Sequence, residues 1–149
     1  MEVRMLKHPL TGVVVKCSPK SHKVLVDVLG LLGKAGIGVY GVMLEKDRLK
    51  FYVREGECER TLRVLDKVVR GDVEFSITRE VGMITISGGS RRHSVNVDVL
   101  LAPVKGKVKI FDLIRSDNSV QLFIELRNRG MVFEEIVKRV TDGFRMTKV

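Results

Sequence analysis

His22-Lys23-Val24-Leu25-Val26-Asp27-Val28-Leu29 and His93-Ser94-Val95-Asn96-Val97-Asp98-Val99-Leu100 are one octapeptide written twice, six of its eight letters identical at an offset of 71 (93 − 22). A repeat decides the fold before any local pattern does, because each copy must be read as one structural unit. The flanks follow the repeat. Val13 and Val15 map onto Ile84 and Ile86 at 71; after a slip to 72, Phe51 maps onto Phe123, Val64-Leu65 onto Ile136-Val137, Lys67-Val68 onto Arg139-Val140 and Gly71 onto Gly143. The chain therefore divides into an N-terminal segment, 1–10, and two modules, 11–80 and 81–149.

The first module spells out its elements. Gly12 to Cys17 is short, β-branched and apolar, as a buried strand requires. Ser18 stands at a helix N-cap position with Pro19 directly after it, and Val24, Leu25, Val28, Leu31 and Leu32 make one apolar helical face. Gly36 ends that helix, and Lys34 suits its negative C-terminal end. Ile37–Leu44 and Leu49–Val53 flank the polar turn Glu45-Lys46-Asp47 as a hairpin. Glu57 to Val69 returns to helical spacing and closes at Gly71, and Val73, Phe75 and Ile77 alternate as a fourth strand. The order is βαββαβ.

The second module repeats it: a strand at Met83–Ser87, a helix over Ser90–Leu101, and a hairpin of Val108–Ile114 and Val120–Leu126 about Ser116-Asp117-Asn118. A second helix over Val132–Val140 and a last strand at Phe144–Lys148 complete it. Asn96 and Pro103 shorten the first helix, whose Val95, Val97 and Val99 also fit strand alternation. The fold class expected is α+β: two ferredoxin-like units, each an antiparallel sheet with helices on one face. Modules of about 70 residues are small for independent stability, and their edge strands invite pairing with another copy.

Composition narrows the function classes. The 149 residues are 44% hydrophobic and 30% charged, with three prolines, as in a folded globular chain. No apolar run approaches the roughly 20 residues of a membrane span, and Met1 to Lys7 lacks a secretory apolar region, so the reading is cytoplasmic. Cys17 and Cys58 form no Cys-x-x-Cys pair, and three histidines give no metal cluster. No nucleophile, base and orienting group can be nominated together, so neither catalysis nor a cofactor is expected. The net charge of +9 raises the prior for an anionic partner. A nucleic-acid-binding ferredoxin-like domain is thus the alternative, although the chain has no Trp and two Tyr for base stacking.

Ser18-Pro19-Lys20-Ser21-His22 through Leu32-Gly33-Lys34-Ala35-Gly36-Ile37 resembles the opening of an ACT domain: a strand, a loop, then a Val-Leu-x-x-Val-x-x-x-Leu helix leading into Ala-Gly-Ile. Ile110-Phe111-Asp112-Leu113-Ile114 and Ser119-Val120-Gln121-Leu122-Phe123-Ile124 resemble the paired strands of the regulatory tail of aspartate kinases, which carries two ACT units. The resemblance covers nearly everything after residue 10. It implies a small-molecule effector, an amino acid, bound where the first strand meets the first helix at an interface between ACT units. It also implies a homodimer or higher homo-oligomer and a metabolic enzyme as the regulated partner. Matched here, the effector-binding residues are Ser18, Pro19, Lys20, Ser21 and His22 in the first copy, and Gly88, Gly89, Ser90, Arg91, Arg92 and His93 in the second. The first loop lacks the family's loop glycine, and Gly38 stands where a polar residue often touches the ligand, so the second loop is the stronger candidate.

Each feature has a plainer reading beside the functional one. His22 and His93 could form a paired metal or pH-sensing site, or simply sit as polar surface residues. Asp27 and Asp98 read as a solvated face or an intersubunit ion pair. Gly88-Gly89-Ser90-Arg91-Arg92 could cradle a phosphate or carboxylate through backbone amides, or be an ordinary basic turn. Arg127-Asn128-Arg129-Gly130 reads as a solvated loop, with a nucleic-acid contact as its functional alternative.

Overall fold

A computed structural model describes residues 1–88 and 97–147 of the chain. They form two compact units, His8–Glu80 and a second made of Met1–Lys7 with Val81–Val149. Strand β1 is Glu2–Met5, β2 Leu10–Lys16, β3 Tyr40–Leu44, β4 Arg48–Arg54, β5 Glu74–Ser87, β6 Ile110–Arg115 and β7 Ser119–Glu125. Helix α1 is His22–Lys34, α2 Cys58–Asp66, α3 Val97–Leu101 and α4 Arg129–Thr147. Single 3-10 turns at Pro19–Ser21, Glu55–Glu57 and Leu126–Asn128 lead into α1, α2 and α4.

The first unit orders its strands β3-β4-β2-β5, which is the ferredoxin-like order 2-3-1-4. Val13 and Val15 of β2 and Leu49, Phe51 and Val53 of β4 share one face by the two-residue period of a strand. Leu25, Val28 and Leu32 of α1 and Val64 and Leu65 of α2 pack on them, with Val73 and Ile37 closing the ends. Gly36 (φ 71) stands just past α1 in the left-handed conformation that favours glycine, whereas α2 already ends at Asp66, and Gly71 (φ 62), expected to close that helix, takes the same conformation in the later turn that leads into β5.

The second unit orders its strands β1-β5-β7-β6, again the ferredoxin-like order. Ile84 and Ile86 of β5 and Val120, Leu122 and Ile124 of β7 meet Leu100 and Leu101 of α3 and Val132 and Ile136 of α4. Its cross-strand pairing reproduces that of the first unit. Val13 stands opposite Phe51 and Ile84 opposite Leu122; Leu44 stands opposite Leu49 and Arg115 opposite Val120.

That register corrects the alignment of the two copies. The offset stays at 71 through the strands, both turns before the second helices, and the helix starts Cys58 and Arg129. The counterpart of Phe51 is Leu122, not Phe123, and the slip to 72 does not occur. Strand pairing keeps the offset, since a one-residue slip would send every side chain to the opposite face.

Three further expectations change. The strands expected at Val73–Ile77 and Met83–Ser87 are one strand, β5, which runs without interruption from Glu74 to Ser87. The last strand expected from Phe144 is instead the end of α4, which runs on to Thr147. Gly143 does not stop that helix, because glycine in a helix costs only about 1 kcal/mol and terminates it only where the chain turns left-handed. The fourth strand of the second unit is β1, within the stretch read as a separate segment, and it pairs antiparallel with β5 from Glu2 opposite Ser87 to Met5 opposite Ile84. The helix expected over Ser90–Leu101 is described from Val97, its earlier residues lying outside the described ones. It ends at Leu101, two residues before Pro103, which cannot donate the next helical hydrogen bond.

Candidate functional site at the strand to helix loops

Strand directions alternate in a βαββαβ unit, so the loop from β2 into α1, the β3-β4 turn and the connection from α2 into β5 gather at one end. Three hydrogen bonds show the gathering. The Cys17 amide donates to the Asp47 carbonyl at 2.9 Å, His22 Nδ1 donates to the Lys46 carbonyl at 3.0 Å, and the Ser18 amide donates to Asp72 Oδ2 at 2.8 Å. The carbonyl acceptor requires the proton on Nδ1 of His22.

Ser18 precedes α1 as expected, in extended conformation (φ −70, ψ 156) with Pro19 next, but its side chain caps nothing in the helix. The loop instead holds a carboxylate from the chain itself. Ser21 Oγ donates to Asp72 Oδ1 at 3.0 Å and to Oδ2 at 3.2 Å, alongside the Ser18 amide. The Ser18 hydroxyl and amide and the Ser21 hydroxyl favour the charged form and hold the Asp72 carboxyl below its ordinary value. Burial pushes the Cys17 thiol up, and the nearby carboxylates of Asp72 and Asp47 push it further. Of the first-copy candidates, Ser18 and Ser21 converge on one carboxylate, His22 binds the neighbouring turn, and Lys20 is exposed.

Sequence reading missed Asp72, although a signal was there. It follows Gly71, a turn glycine between the second helix and the fourth strand, and the order of elements alone brings that turn to the end of the unit where β2 meets α1.

In the second unit the Gly88 amide donates to the Asn118 carbonyl at 2.6 Å, the counterpart of the bond from Cys17 to Asp47. Gly89, Ser90, Arg91, Arg92 and His93 lie outside the described residues. The counterparts of Gly71 and Asp72 are Asp142 and Gly143, whose backbone is helical within α4. Among its described residues the second unit therefore has no equivalent of the Asp72 turn.

Other groups find simpler roles. Arg129 is the first residue of α4 rather than part of a solvated loop: its Nη1 donates to the Leu6 carbonyl at 2.8 Å and the Lys7 carbonyl at 3.1 Å. Arg127 pairs with Glu125 at 3.1 Å. Asp27 and Asp98 are exposed, and Cys17 and Cys58 are free thiols, both buried. Among the described residues no group of three His, Cys, Asp or Glu could hold a metal, and no helix is long and apolar enough to cross a membrane. An open cavity of about 500 Å³ lies at the other end of the first unit, lined by His8, Pro9, Arg54, Glu55, Gly56 and Glu57.

No family model and no curated protein matches the sequence. Solved structures do match the fold. Aspartokinase alpha and beta subunits superpose with a TM-score of 0.80 at 17% identity, over 95% of this chain and 98% of that one. The ligand-free regulatory subunit of aspartate kinase from Thermus thermophilus superposes with a TM-score of 0.75 at 13% identity, over 93% of this chain and 96% of that one. The aspartate kinase of Clostridium acetobutylicum, an allosteric enzyme, gives a TM-score of 0.75 at 14% identity, over 90% of this chain and 33% of that one. The chain shares its fold with aspartate kinase regulatory subunits.

Proposed function

We propose that the chain is a non-catalytic regulatory module of the cytoplasm that binds a small effector, an amino acid, and modulates a metabolic enzyme. In this reading 11–80 and 81–149 act as two ACT-like domains, the second carrying β1 in its sheet. They pair within a homodimer or higher homo-oligomer, with the effector at an interface between ACT units. The observation that carries the reading is the likeness to an aspartate kinase regulatory subunit over almost the full length of both chains.

Effector binding is assigned chiefly to Gly88, Gly89, Ser90, Arg91, Arg92 and His93. A glycine pair followed by two arginines is a composition that suits an α-carboxylate, and an interface lets the ligand report by changing how two units pack. Ser18, Lys20, Ser21 and His22 form the first loop, where Asp72 already takes the Ser18 amide and the Ser21 hydroxyl.

The test is a thermal-shift panel of the twenty amino acids, common nucleotides and a short single-stranded RNA, at low and then higher salt. A ligand at 100 times its Kd adds about 2.7 kcal/mol of apparent stability, and a phosphate-dominated contact fades as salt rises. One amino acid is expected to give a salt-resistant rise in Tm that is lost on Arg92→Ala. A rise with RNA alone that vanishes in salt would replace this reading with nucleic-acid binding, and silence throughout would leave a protein-interaction module.

A further inference from the structure

We infer that Asp72 is a built-in carboxylate ligand of the first strand to helix loop, and that it closes this loop to dissolved carboxylates. The regulatory meaning of the closure rests on the function proposed above. A free carboxylate arriving at the loop would need the Ser18 amide and the Ser21 hydroxyl, and both point at Asp72 at 2.8 and 3.0 Å. The loop is thereby saturated by a group that is covalently tethered and always present, which no dilute ligand of like chemistry can match in effective concentration.

The fold holds that group in position from both sides. Gly71 turns the backbone with φ 62, and the Val73 amide returns to the Arg70 carbonyl at 3.2 Å. Val73 is buried in the core of the unit, so the residue after Asp72 is anchored. With the backbone fixed on either side, the carboxylate leaves the loop only by rotating its own side chain away from both donors, and it stays tethered next to them when it does.

Topology explains why the two copies differ. In the first unit α2 must hand the chain directly to β5, and Asp72 rides on that connection. In the second unit the fourth strand is β1, so nothing obliges the chain to turn after the second helix, and the backbone at 142–143 stays helical. The two units are accordingly unequal receptors: the first answers itself, and the second has no such connection from which to do so.

Acetate, the dissolved counterpart of the Asp72 side chain, is the probe. The amide resonance of Ser18 is followed by ¹⁵N NMR while sodium acetate replaces sodium chloride at constant ionic strength, in the wild-type chain and in Asp72→Ala. In the wild type the Ser18 amide should not respond. In Asp72→Ala it should shift saturably, with acetate restoring part of the Tm lost to the substitution. Should Asp72→Ala fail to fold, Asp72→Asn keeps the shape without the charge and should show the same acetate response at weaker affinity. An amide indifferent to acetate in the folded variants, or one that follows acetate equally in the wild type, overturns the inference. Silence of the wild-type chain toward every amino acid would count against the proposed function and leave the acetate result intact.

Discussion

Arg129 and Gly82 define each other. A Cβ on Gly82 would lie 3.0 Å from Arg129 Cδ, 3.1 Å from its Cβ and 3.2 Å from its Cγ, tighter than ordinary van der Waals contact, so glycine gives the arginine its room and any larger residue there would press on it. The guanidinium then reaches the carbonyls of Leu6 and Lys7 and fastens the end of β1. Arg129→Ala should cost about 1.5–3 kcal/mol, the usual value of hydrogen bonds from a charged donor. Denaturant unfolding with hydrogen exchange checks this, the amides of β1 losing protection first; an unchanged midpoint would refute the anchoring role. Asp72 sets a pH dependence at the same scale. Its carboxyl is held low in the folded chain by the Ser18 hydroxyl and amide and the Ser21 hydroxyl. Its contribution is therefore complete above the ordinary carboxylate value of about 3.9 and is lost as pH falls through the lowered folded value. Melting curves of the wild type and Asp72→Asn should differ by a constant Tm gap near neutrality that closes in acid. A gap that widens in acid would contradict the sign of the shift.

Among the elements, β1 decides whether the second unit is complete. Val3 and Met5 pack partly buried against its core, and four residue pairs join the strand to β5. Deleting residues 1–7 would remove both, and with them the acceptors of Arg129. The expected loss is roughly 2–4 kcal/mol, from two half-buried side chains and a short ladder. Hydrogen exchange should show amides at 84–86 losing protection while those at 13–15 keep theirs; loss in both places would show that the strand supports more than the second unit. The helices carry the opposite lesson. Val28 of α1 is fully buried, whereas Val99, the matching letter of the repeated octapeptide, is 53% exposed. Pro103 stops α3 after Leu101, and the buried set moves to Leu100, Leu101 and Val104. Identical letters thus face differently where the helix that carries them is cut short.

For the molecule as a whole, the net charge of +9 describes association rather than fold. Such a charge gives weak, salt-sensitive contact with any polyanion, which is why the effector panel is run at two salt concentrations. What separates a regulatory module from a basic binding surface is a response that survives salt and depends on one loop arginine. The proposed regulatory reading requires such a response.

The repeat, the α+β class and most elements were legible in the residues, because the periods of two and 3.6 and the left-handed stop at Gly36 act locally. The convergence of Ser18 and Ser21 at one loop was legible too, since both belong to a single strand to helix turn. Tertiary structure alone decided the rest. That β1 and not a C-terminal strand completes the second sheet is a competition between segments more than 130 residues apart, for one row of β5 hydrogen bonds. That the register stays at 71 follows from which face the buried side chains must meet. And that the carboxylate in the first loop is Asp72 depends on the folding back of a turn 54 residues away, a long-range contact that no local pattern encodes.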